Sequence, residues 1–65
     1  MGGRDSYRTF EVRSGRKVVS VQEATTPHEA LISFLRARGC RDSEMQKMGR
    51  DTIAWRGSVY RAVPR

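Results

Sequence analysis

His28 and Cys40 are the single histidine and the single cysteine of the chain, and a thiolate beside an imidazolium is an established route to a nucleophile. Their spacing argues against that chemistry. His28 falls in the first turn of a predicted helix and Cys40 just past its end, which separates them by roughly 18 Å at about 1.5 Å per residue. His28 therefore reads as a solvated first-turn residue, and Cys40 as a small packing residue. Two such ligands are too few for a structural zinc site. Glu29, Asp42, Glu44 and Asp51 show no partner pattern, and the first three stand where caps and first turns favour acids. No glycine pattern suited to cradling a phosphate occurs. The expectation is a protein that is not an enzyme, with no catalytic residue, cofactor, metal or small-molecule substrate.

Charge is the stronger signal. Thirteen Lys and Arg stand against seven Asp and Glu, a net +6. Such a balance favours nucleic acid or acidic surfaces as partners. The competing account is an arginine-rich coding bias whose charges only solvate the surface. One cysteine cannot form an internal disulfide, which points to a reducing compartment. No stretch is long and apolar enough to span a membrane, and no signal-peptide core is visible. A cytoplasmic protein with no membrane partner is expected. Sixty-five residues make one domain that buries only about 60% of its unfolded surface. With no disulfide or metal to support so small a core, a partner subunit is the support left open.

The elements follow from local patterns. Thr26 is a good N-cap, with Glu29 three residues on and Pro27 at the first helical position. Gly39 stands where a left-handed C-terminal residue is wanted. The spacing predicts a helix over 27–38, with Ala30, Leu31, Phe34, Leu35 and Ala37 on its apolar face and Ile32 at the edge. Residues 7–13 and 17–23 alternate as strands. Pairing Val12 with Lys17 puts Phe10, Val12, Val19 and Val21 on one face, with a loop of either two residues (Ser14-Gly15) or four (Arg13 to Arg16). Residues 43–48 suit a helical turn, with Ser43 and Gln46 as a second capping box and Met45 and Met48 on one side, or else a short strand. Gly57-Ser58 between two alternating runs suits a type II′ hairpin that sets Trp55 opposite Tyr60 and Ile53 opposite Ala62.

The expected fold class is α+β, in the order β-β-α-β-β, with one amphipathic helix packed on one face of a small antiparallel sheet. Residues 1–6 form a polar, glycine-rich arm that also fits the short Met-Gly-x-x-x-Ser myristoylation pattern, and 7–64 form the single domain. Phe10, Val19, Val21, Leu31, Phe34, Leu35, Ile53 and Trp55 are expected to be buried. The helix-free face is expected to bind nucleic acid through Tyr7, Arg56 and Arg61, which combine cations for phosphates with an aromatic for stacking. The alternative is a protein partner, or self-association, through Val18, Val59 and Val63 on the same face.

Overall fold

The computed structural model describes residues 7–65; the expected arm, residues 1–6, with its lipidation pattern, lies outside them. β1 (Arg8–Ser14), β2 (Lys17–Ala24), α1 (Pro27–Ala37), β3 (Gln46–Gly49), β4 (Thr52–Trp55) and β5 (Ser58–Pro64) follow in that order, with a single 3₁₀ turn at Asp42–Glu44. The class is α+β, with five antiparallel strands in one sheet ordered β2-β1-β5-β4-β3. The element order corrects the expected β-β-α-β-β by one strand. Residues 42–48 supply both a helical turn and a strand: Glu44 N–H and Met45 N–H close the turn on the carbonyls of Arg41 and Asp42. Met45 packs against the core while Met48 is exposed, so the two methionines do not share a side.

The helix is built by its caps. The Thr26 hydroxyl accepts from Glu29 N–H at 3.1 Å, while the Glu29 carboxylate accepts from the Thr25 hydroxyl. At the other end Gly39 takes φ +91. Gly39 N–H reaches Arg36 C=O and Cys40 N–H reaches Leu35 C=O, each at 3.0 Å. That pair of bonds is a Schellman motif, and it brings Cys40 down beside Leu35. Ala30, Leu31, Phe34 and Leu35 are buried, whereas Ala37, expected on the apolar face, is exposed.

The helix residues join one buried cluster with Phe10, Val12, Ala24, Cys40, Ile53, Trp55 and Ala62. Strand register explains the sheet side of this set. Val12 lies opposite Ala62 and Ile53 opposite Tyr60, and alternation adds Phe10 and Trp55 to the same face.

Two register corrections matter for function. In the first hairpin Ser14 pairs with Lys17 across Gly15-Arg16, and a β-bulge in β2 then sets Val12 opposite Ser20 and Glu11 opposite Val21. The extra residue is Val19, and passing it reverses which side chains face the core. Val21, expected in the core, is 45% exposed on the other face, and Val19 is only partly buried. In the second hairpin Trp55 pairs with Ser58 and Ile53 with Tyr60. The turn is Arg56-Gly57, both with positive φ (53 and 78), the signature of type I′ rather than type II′. This slip is two residues, so it changes the pairs but keeps the faces. Tyr60 meets Phe34 in a tilted contact, 5.4 Å between centroids with the ring planes at 56°, instead of pairing with Trp55.

The turn geometry gives a sharp test. A Cβ added at Gly57 meets nothing within 4 Å, but φ is +78; at Gly49 the space is equally open and φ is not in the left-handed range. Gly57→Ala is therefore expected to cost about 1–2 kcal/mol through backbone strain alone. Gly49→Ala is expected to be near neutral. Urea unfolding of the two variants checks this; equal midpoints would remove the type I′ turn from the account.

Candidate functional site

The three residues expected to bind nucleic acid are not brought together. Arg61 lies on the face opposite the core, directly across from Arg13 and Thr52. Arg56 is carried by the tight turn, and its guanidinium lies over the Trp55 ring, 4.7 Å from the centroid. It therefore sits with the helix-bearing side, not beside Arg61. Tyr7 is 73% exposed and lines a groove of about 520 Å³ with Glu23, Glu29, Ile32, Ser33 and Arg36, again away from Arg61. Val18, Val59 and Val63 do share the face with Arg61, since Val18 opposes Arg13, Val59 opposes Ala54, and Val63 opposes Glu11.

Five basic groups instead gather at one end of the domain. There the C-terminus of α1, the 3₁₀ turn, the start of β3 and the β4–β5 turn meet. Trp55 is the organising side chain. It is buried, and its indole N–H donates to Glu44 Oε1 at 3.2 Å. The same oxygen accepts from Arg41 N–H at 3.2 Å. A buried indole must find such an acceptor or lose the hydrogen bond it had in water. Arg36 holds Asp42 with two nitrogens, the closest contact being 2.8 Å.

This end carries Arg36, Arg38, Arg41, Lys47 and Arg56 against Asp42 and Glu44. Arg36 alone of the five is ion-paired among the described residues. Arg38 caps the helix and lies over the Phe34 ring at 4.8 Å from its centroid. Thus Arg38 and Arg56 are both fixed on aromatic faces. A guanidinium stacked this way keeps its N–H edge open and has already lost part of its rotamer freedom. From the sequence Arg38 reads only as a last-turn cation complementing the helix dipole, not as a binding residue. The signal was present: Phe34 stands four residues before it, on the same side of a helix.

The electrostatics follow the contacts. Hydrogen bonds from Arg41 N–H and the Trp55 indole, with help from Arg56 and Arg41, hold the Glu44 carboxyl below the usual range. The hydrogen bond and charge of Arg36 do the same for Asp42, with a smaller contribution from Lys47. Burial, then the charge of Glu44, pushes the Cys40 thiol up, and its S–H points at Arg41 C=O, 3.4 Å away. An inert, packed thiol is the chemical consequence. Cys40 and His28 stand at opposite ends of α1, and no group of three His, Cys, Asp or Glu suited to a metal occurs among the described residues.

On the opposite face Glu11 is shared by two arginines, Arg13 at 2.8 Å and Arg65 at 3.7 Å. Arg61 makes no ion pair among the described residues. Phe10, Trp55 and Tyr60 point to the core side and Tyr7 lines the groove beside α1, so no aromatic stands beside Arg61 among the described residues.

Acid titration tests the Glu44 contact. Its folded-state pKa is depressed, so its contribution is complete above the ordinary carboxylate range and is lost as pH falls through the lower folded value. Asp42 behaves the same way. Stability is expected to fall steadily below about pH 4. Glu44→Gln should flatten that fall, and the fluorescence of Trp55, the single tryptophan, reports it. An identical acid limb in Glu44→Gln would show that the ionisation of Glu44 adds nothing to stability.

No helix among the described residues is long and apolar enough to cross a membrane. No protein-family model, no curated protein and no solved structure matches the chain.

Proposed function

We propose that the protein is a small binding module rather than an enzyme, and that it binds nucleic acid through the phosphate backbone. The observation that carries this reading is the pair of arginines, Arg38 and Arg56, each stacked on a ring at the same end of the domain. Arg41 and Lys47 flank them, and a net charge of +6 draws a polyanion from a distance. Phosphate contacts of this type fix position without reading bases. Arg61 on the sheet face is a lesser contributor in this reading. With no aromatic beside it among the described residues, that face lacks the stacking platform that single-strand binders use.

Binding of this kind is expected to weaken steeply with salt, with each phosphate contact adding about 0.7–0.9 to the slope of log affinity against log salt. Affinity for random single- and double-stranded DNA and RNA should be measured across a salt series. The double change Arg38→Gln with Arg56→Gln is expected to lower the slope by about two units and to weaken all sequences alike. Arg61→Gln should change little. No affinity in the parent protein at low salt, or an unchanged slope in the double variant, would overturn the proposal.

A further inference from the structure

We infer that the ligand of the basic end is a nucleic-acid duplex, met through its phosphates, rather than a single strand; this deepens the nucleic-acid reading and rests on it. Where the aromatic rings lie decides between the two forms. Proteins that hold single strands combine cations with rings on which the bases stack. The chain has two Phe, two Tyr and one Trp, and all five rings are among the described residues. Phe10 is buried in the core. Phe34 and Trp55 are only 3% and 7% exposed, and the guanidinium groups of Arg38 and Arg56 lie over them. The Trp55 indole N–H is held by Glu44. Tyr60 is half-buried against Phe34. Tyr7 is the one strongly exposed ring, and it lines a groove with Glu23 and Glu29, whose carboxylates repel a phosphate backbone. No ring thus offers a base a free face beside Arg38, Arg41, Lys47 and Arg56.

What this end does offer is charge. Arg38, Arg41, Lys47 and Arg56 are exposed, and none of the four is ion-paired among the described residues. The two acids beside them are engaged within the protein, Asp42 by Arg36 and Glu44 by the Trp55 indole and Arg41 N–H. A surface that binds by charge alone favours the polyanion with the densest charge. A duplex carries one phosphate per about 1.7 Å of its axis, against about 3.4 Å along one strand. Each contact also releases more counterion from it: the slope of log affinity against log salt is about 0.9 per contact for duplex DNA and about 0.7 for a single strand. If the two forms bind alike near ~1 M salt, four such contacts favour the duplex about sixfold at ~0.1 M. The ordered guanidinium groups add to this. A duplex is stiff and presents its phosphates at fixed spacing, so cations already held on Phe34 and Trp55 lose little freedom on meeting it.

The test compares three DNA ligands of one length: a single strand without self-complementarity, its duplex, and the same strand with abasic sites in place of its bases. At ~0.1 M salt the duplex is expected to bind the parent protein about sixfold more tightly than the single strand. The abasic strand is expected to bind as tightly as the intact one. Arg38→Gln with Arg56→Gln, its folding confirmed by circular dichroism, should lower the duplex preference to roughly twofold, since two contacts remain. A single strand that binds the parent as tightly as the duplex overturns the inference. So does an abasic strand weaker than the intact one, because bases would then be stacking on the protein. A full preference kept by the double variant overturns it as well, because the discrimination would lie on another surface. In all three cases binding persists and the nucleic-acid reading stands. Only the absence of binding by every ligand at low salt removes both.

Discussion

One eleven-residue helix must close the core of a five-stranded sheet. A helix has a single apolar stripe, and a sheet has two faces, so one layer of contact is all the chain can make. Everything else follows from that shortage. Phe34, Leu31 and Leu35 supply most of the helix side of the core, and the sheet answers with Phe10, Val12, Ile53 and Trp55. Removing the Phe34 ring would cost about 3–5 kcal/mol, a large share of the stability available to so small a domain. The helix ends are secured accordingly, by Thr26 at one end and the Gly39 Schellman turn at the other.

How much of this is legible in the sequence depends on whether the signal is local. The helix caps are. Thr26, Pro27, Glu29 and Gly39 act within a turn of where they stand, so the helix could be placed within one residue. Turns are half local. Gly15 and Gly57 mark that the chain reverses, but not which central position each glycine takes. At Arg56-Gly57 the resulting slip is two residues, and period-two alternation keeps Ile53, Trp55 and Ala62 on the core face. The bulge in β2 is not local at all. Val18-Val19-Ser20-Val21 offers a valine to either face in either register, so nothing in those residues marks Val19 as the extra one. What decides is the partner strand: Ala24 fits under the helix only if the alternation reverses on the way. β3 was obscure for a related reason. Gln46, Lys47, Met48 and Gly49 are all exposed, so burial leaves no alternating imprint, and pairing with β4 alone makes them a strand.

The candidate site divides along the same line. Arg61 sits in the middle of a strand, where parity assigns its face. Arg56 sits in a turn, where parity says nothing, and its position is set by a left-handed backbone and the Trp55 ring. A non-glycine residue with φ of 53 is a local strain, and the cation–π contact partly offsets it. Trp55 is buried by the sheet and capped by Arg56, and its indole is hydrogen-bonded by Glu44. Core formation, the 3₁₀ turn and the position of a surface cation are therefore one coupled arrangement rather than three independent features.

That coupling separates two kinds of surface on a chain too small to hold two domains. At the helix C-terminal end, aromatic rings that serve the core on one side hold guanidinium groups on the other. The surface charge there is ordered by the same side chains that stabilise the fold. On the opposite face Glu11 answers Arg13 and Arg65, Arg61 makes no ion pair among the described residues, and Val18, Val21 and Val59 are exposed beside them. In the proposed reading the first surface draws a polyanion through charge, and that attraction weakens as salt screens it.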